Sequence, residues 1–152
     1  MNYIKLVEEF HNTFVVPVLE TPQIPSKERC DLRISLISEE LEEMKEAIEK
    51  GDVIEIADSL GDLMVVLCGS ILEFGMGDKF DELFLEVHRS NMSKACKSQQ
   101  EAIQTLLHYK EKNETEGYYK EVDGKWLVYR SEDNKVLKSI NYSPANLVDI
   151  LN

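Results

Sequence analysis

Apolar residues recur at helical spacing through the first two thirds of the chain and at strand spacing after that. Ile4, Val7, Phe10 and Phe14 stand three and four apart, which predicts a short helix over 3–14. Pro17, Pro22 and Pro25 then break the pattern, so this stretch is a loop. Over 27–50, Ile34, Ile37, Leu41, Met44 and Ile48 form one apolar stripe with a period of about 3.6, the kind that faces a core. Gly51 is a C-cap for this second helix, and Asp52 can cap a third that runs to about Phe74. The third is apolar nearly all round from Leu63 onward, as a buried central helix is. Gly75-Met-Gly77 ends it, Asp78 can cap a fourth over Lys79–Ala95, and a weaker fifth covers Ser98–Lys112.

Past residue 113 the period drops to two. Tyr118–Val122 and Lys125–Arg130 flank Asp123-Gly124, the signal of a β-hairpin with a tight turn. Lys135–Ile140 is expected as a third strand. Ser143-Pro144 is expected to open a last short helix. The predicted fold is mainly α, an antiparallel helical bundle over 1–112. Residues 113–152 form a small β appendage and a short helix packed on the bundle within the same domain.

Length and charge narrow the function classes. A chain of 152 residues is the size of one domain and buries about 70% of its unfolded surface. With 17 basic and 29 acidic residues the formal charge is −12, which argues against coating nucleic acid or an anionic membrane. A small phosphate ligand remains compatible if a bound cation inverts the local field. No apolar run approaches the roughly 18 residues of a membrane span. Glu8 and Glu9 stand where a signal peptide would continue its apolar region. Three cysteines, Cys30, Cys68 and Cys96, without paired spacing predict reduced thiols and a cytoplasmic protein.

The candidate chemistry lies on the second and third helices. Glu40 and Glu43 are one turn apart, outside the apolar stripe, in a sector shared with Leu36 and Ala47 and bordered by Arg33. Glu55, Asp58 and Asp62 stack on one face of the third helix, which continues through Val65, Gly69 and Leu72. A turn of two residues makes these helices antiparallel neighbours, so the two acidic patches can face each other. Carboxylates gathered among apolar residues repel unless paired with a cation. An all-oxygen set without imidazole or thiolate suits a hard ion, Mg²⁺ with Mn²⁺ as a substitute. The fourth helix gathers polar donors in His88-Arg-Ser-Asn-Met-Ser-Lys94, where Asn91 and Lys94, three apart, can reach one ligand. His11 either caps a carbonyl or contacts a base. Tyr118, Tyr119, Trp126 and Tyr129 either stack a base or pack the hairpin onto the bundle.

Glu39-Glu-Leu-Glu-Glu43, Ala47-Ile48, Gly51-Asp52 and Ala57-Asp-Ser-Leu-Gly-Asp-Leu63 resemble the all-α nucleoside triphosphate pyrophosphohydrolases. That superfamily includes MazG-like and phosphoribosyl-ATP pyrophosphohydrolase-like proteins. Phe10-His11, Leu32-Arg33, Glu86–Lys94, Lys135–Lys138 and Tyr142–Leu147 are similar to the phosphoribosyl-ATP branch. The signature is Glu-x-x-Glu on one helix and Glu-x-x-Asp on the next. Glu40-x-x-Glu43 fills the first half. In the second half Ser59 stands where the pattern has Glu, with Asp62 in place, while Glu55-Ile-Ala-Asp58 matches one turn earlier.

The resemblance implies metal binding by Glu40, Glu43, Asp58, Asp62 and Glu55. It implies substrate contacts from Asn91, Lys94, His88, Arg33 and His11. The expected reaction is Mg²⁺-dependent cleavage of the α–β phosphoanhydride of a nucleoside triphosphate, with Glu40 or Glu43 handling the attacking water. Phosphoribosyl-ATP hydrolysis in histidine biosynthesis and an inactive helical interaction module are the alternatives. A homodimer or homotetramer is implied as well.

Overall fold

The computed structural model describes residues 1–152, with Asn113 described by its backbone alone. The helices are α1 (Tyr3–Thr13), α2 (Lys27–Lys50), α3 (Val53–Glu73), α4 (Phe80–Met92), α5 (Gln99–Asn113) and α6 (Val148–Leu151). Between α5 and α6 lie strands β1 (Gly117–Val122) and β2 (Lys125–Arg130), an antiparallel pair. The protein is therefore mainly α with a small sheet near its C-terminus, as the change of period predicts. Contacts group the chain into two compact units, Met1–Phe80 and Asp81–Asn152. This division lies at the start of α4, whereas the change of sequence texture lies at 112/113. The fifth helix goes with the hairpin because α5 packs on both of its strands.

In the first unit, α1 and α2 each pack on α3. The side chains of Asn2 and Ser26 cap α1 and α2 by accepting from the backbone N–H of Lys5 and Arg29. The α2–α3 turn is set locally. Gly51 takes φ 68°, a left-handed conformation that suits glycine, and returns its N–H to Ala47 and Ile48. Asp52 accepts from the N–H groups of Ile54 and Glu55. The apolar core joins Ile4 and Val7 of α1 to Cys68 and Leu72 of α3. The proline-rich loop is tied to the end of α3 by Leu19 N–H to Leu72 O (3.0 Å) and Gln23 N–H to Phe74 O (3.1 Å).

The stripe on α2 is not the buried face. Of its five residues Ile34, Leu41 and Ile48 are exposed and Ile37 and Met44 half-buried, while Arg33 and Ala47 are buried and Leu36 and Glu40 half-buried. α3 is the main neighbour of α2, and one neighbour covers one sector. Nor is α3 enclosed: Met64, Val65 and Leu67 are exposed, against a buried face of Ser59, Val66, Gly69, Leu72 and Glu73.

In the second unit α4 begins at Phe80, two residues after Asp78, and ends at Met92, short of the expected Ala95. Ser98 caps α5 by accepting from Glu101 N–H. Asp123 (φ 51°) and Gly124 (φ 72°) both take the left-handed conformation that a two-residue hairpin turn requires. Tyr119 and Trp126 pack against the core of Cys96, Ala102, Val128 and Leu137, so packing is their role; Tyr118 and Tyr129 stack on each other at 5.4 Å.

The third strand does not form. Its ladder stops at one bridge, Tyr129 to Val136, flanked by Arg130 N–H to Lys135 O and Leu137 N–H to Val128 O (both 2.9 Å). The next donors turn away from β2: Ser139 N–H goes to Lys94 O and Ile140 N–H to Thr105 Oγ1. Ser143-Pro144 does not open the last helix either. The Ser143 hydroxyl accepts from Arg89 and its N–H donates to Ser93 Oγ, so α6 starts only at Val148.

Candidate metal centre

Arg33 of α2 lies so close to Gly69 of α3 that a Cβ there would stand 2.6 Å from Arg33 Nη1 and 3.0 Å from His11 Nε2. This fixes the register of the antiparallel pair. Two turns onward along α2 from Arg33 comes Glu40; two turns back along α3 from Gly69 comes Asp62. The electrostatics agree. Burial first, then the charges of Glu43, Asp62, Glu39 and Asp58, raise the Glu40 carboxyl above the ordinary glutamate range. Its Oε2 is buried and has no hydrogen-bond partner.

Glu43, Asp58 and Asp62 surround this oxygen electrostatically but are exposed, against the expectation that the α3 carboxylates run into the core. Among the described residues none of Glu40, Glu43, Asp58 and Asp62 forms an ion pair. Their exposed neighbours behave as surface charge: Glu42 pairs with Lys45 (3.0 Å) and Glu46 with Lys50 (3.0 Å). Glu55 lies by the turn, where its charge acts on Lys50 rather than on Glu40. Ser59 is buried and its hydroxyl donates to Glu55 O at 2.9 Å. Among the described residues no three His, Cys, Asp or Glu side chains are close enough to grip an ion together.

Arg33 and His11, expected at the substrate, have internal partners. The nearly buried Arg33 pairs with Glu73 at 2.5 Å, and Arg29 binds the same carboxylate, its Nε donating to Oε2 at 2.8 Å. Glu73 is fully buried. Burial alone would raise its carboxyl, but the Arg29 hydrogen bond and both guanidinium charges outweigh this and hold it below the usual range. His11, also buried, donates from Nδ1 to Pro17 O at 3.0 Å, the carbonyl-capping alternative. Sequence reasoning missed this cluster. The signal was present: two arginines one turn apart on α2, and a lone acid closing an apolar helix.

In the second unit, Lys94 Nζ donates to Asn91 Oδ1 at 2.8 Å, so these two do converge. Lys94 lies beyond the end of α4 rather than on it. His88 is exposed. Arg89 is held by Glu86, Ser143 and Pro144; its hydrogen bond, with the Asn146 N–H, brings the Glu86 carboxyl down to about 2.

A family model described as phosphoribosyl-ATP pyrophosphohydrolase matches residues 7–91, more than half of the chain. The chain belongs to this family. The family lies within the MazG-like all-α nucleoside triphosphate pyrophosphohydrolase superfamily, and membership supports a nucleotide pyrophosphohydrolase type of function. The match spans every candidate carboxylate, together with His11, Arg33, His88 and Asn91, and stops short of Lys94. An uncharacterised protein of Acanthamoeba polyphaga mimivirus is 42% identical over 81 residues, which is 50% of this chain and 32% of that protein. The chain thus spans less than two thirds of the length of this relative.

Proposed function

We propose that the chain is a Mg²⁺-dependent pyrophosphohydrolase that cleaves a (deoxy)nucleoside triphosphate to the monophosphate and pyrophosphate. The buried, unpartnered oxygen of Glu40 under the like charges of Glu43, Asp58 and Asp62 carries this reading. Such a carboxylate is costly alone and suited to a cation. The all-oxygen donor set fits a hard ion, and Glu43, Asp58 and Asp62 are exposed side chains able to rotate toward one. We assign these four as ligands, with Asp58 and Asp62 as the α3 pair and Glu55 peripheral at the turn.

Bound Mg²⁺, or Mn²⁺ in its place, supplies charge neutralisation at the phosphates and a water of lowered pKa. Whichever of Glu40 and Glu43 is less committed to the ion orients water toward the α-phosphorus and takes its proton. The water oxygen bonds to phosphorus as the bridging bond breaks and pyrophosphate leaves. In the second unit the Asn91–Lys94 pair offers an amide and an ammonium to phosphate oxygens. His11, bonded to Pro17 O, and the Arg33 guanidinium nitrogen that pairs with Glu73 support the helices, while Arg33 Nε is buried without a hydrogen-bond partner.

The exposed apolar positions Ile34, Leu41 and Ile48 on α2 support a homodimer or homotetramer. No described helix is long and apolar enough to cross a membrane. The free thiols Cys30, Cys68 and Cys96 suit a reducing compartment, and the charge of −12 disfavours nucleic acid and anionic lipid as partners. We place the protein in the cytoplasm.

The test is a screen of ribo- and deoxyribonucleoside triphosphates with Mg²⁺, resolving pyrophosphate from orthophosphate. Phosphoribosyl-ATP belongs in the same screen because it names the matching family. Monophosphate and pyrophosphate from the first turnover are expected. Diphosphate and orthophosphate appearing first would refute the reaction class.

A further inference from the structure

The acidity of the chain is uneven. Residues 1–80 hold 17 acids and 7 bases, and residues 81–152 hold 12 acids and 10 bases. In this nearly balanced second unit lies a cavity of about 540 Å³. Its wall includes Arg89, Lys97 and Lys125 but a single acid, Glu101. That carboxylate is already engaged, accepting from the Ser139 hydroxyl and from Lys97 N–H (2.9 Å). The Arg89 charge is met by Glu86, whereas neither Lys97 nor Lys125 forms an ion pair with a described residue.

We infer that this cavity binds a small organic phosphate of about mononucleotide size, with Lys97 and Lys125 as its charge partners. The volume falls within the roughly 300–1,000 Å³ of small-molecule pockets. The ammonium of Lys125, in no ion pair with a described residue, beside that of Lys97, whose charge acts on Glu101 from outside ion-pair reach, is the chemistry that a phosphate monoester meets in a chain of net charge −12. Gly124 and Met92 on the wall leave room and apolar surface for the organic part. Lys97 and Lys125 lie outside the family match, and Asn91 and Lys94 do not line the cavity. The site is therefore built from other residues than the carboxylates of the first unit, and the inference does not rest on the proposed hydrolysis.

Trp126, the single tryptophan of the chain, supplies a reporter. It follows Lys125 directly, and its backbone pairs with the wall residue Cys96 in both directions (2.9 and 3.0 Å). The full chain in excess EDTA is titrated with AMP, adenosine and inorganic phosphate, followed by calorimetry and by Trp126 emission. Without a divalent ion the acidic first unit repels anions, so binding there is suppressed. Saturable AMP binding is expected, with adenosine and inorganic phosphate each at least tenfold weaker. The Lys97→Ala/Lys125→Ala double variant should lose tenfold or more in AMP affinity, while Asp62→Asn should keep wild-type affinity. Both lysines are exposed, and unchanged near-ultraviolet circular dichroism of the Tyr119–Trp126 pair checks that the double variant is folded. No saturable signal by either method at millimolar AMP would overturn the inference. So would equal binding of adenosine or of inorganic phosphate, or a double variant that binds as the wild type does.

Discussion

Glu40→Gln in the metal-free protein isolates the charge on which the metal reading depends. The substitution keeps the volume and leaves a polar atom where Oε2 sits without a partner, so most of the hydrogen-bond deficit persists. What goes is the negative charge. Glu43 lies one turn away, a like-charge pairing of roughly 0.2–0.5 kcal/mol. With comparable amounts from Asp62 and Asp58 across the helix pair, relief comes to about 1 kcal/mol. For a chain of this size that is about 2–4 °C in Tm.

The sign against pH follows from the raised Glu40 carboxyl. The folded protein holds this proton more tightly than the unfolded chain does. The contribution of neutral Glu40 is therefore present below the unfolded value and lost as pH rises through the higher folded value. Glu40→Gln should stabilise the protein at pH 7 and make no difference below about pH 4. Helical circular dichroism melts in EDTA at both pH values measure this. Saturating Mg²⁺, at about 100 times its dissociation constant, should add roughly 2.7 kcal/mol to the wild type and much less to the variant. A variant less stable than the wild type at pH 7 without metal would mean that Glu40 serves a structural ion pair. A wild-type Tm unmoved by millimolar Mg²⁺, with or without nucleotide, would refute the metal site.

Glu43→Gln and Asp62→Asn should each abolish pyrophosphate release while metal-free melts hold or rise, because each removes a ligand and relieves repulsion; a large loss of stability would contradict this. Glu73→Gln should destabilise by about 3–5 kcal/mol in urea titrations, since it strands Arg29 and Arg33 against a buried neutral group. In the wild type the Glu73 carboxyl is held low, so its contribution is present above the unfolded glutamate value and fades as pH falls through the folded one. Lys94→Ala should lower kcat at saturating substrate, whereas Lys120→Ala on the hairpin should leave it nearly unchanged; equal kcat values would remove Lys94 from the phosphate contact.

Local chemistry settled much of this protein before any tertiary contact. Gly51 and Asp52 end and restart the helices, Ser26 and Ser98 cap α2 and α5, and Asp123-Gly124 turns the hairpin, each through bonds within a few residues. The acidic set was legible for the same reason, since helical spacing alone places Glu40 beside Glu43 and Asp58 beside Asp62; the family was legible in the resemblance of the motifs that hold them. Which sector of α2 is buried was not legible, because a stripe of Ile and Leu records apolar character and not the direction of the neighbour. Packing α3 against the Arg33–Glu40–Ala47 sector singled out Glu40 from five carboxylates, left Glu55 beside Lys50, and enclosed Glu73 between two arginines. The missing third strand has the same origin. Ser139 and Ile140 find acceptors at Lys94 and Thr105, residues some forty positions away in the chain, and competition over that distance is decided only when the unit folds.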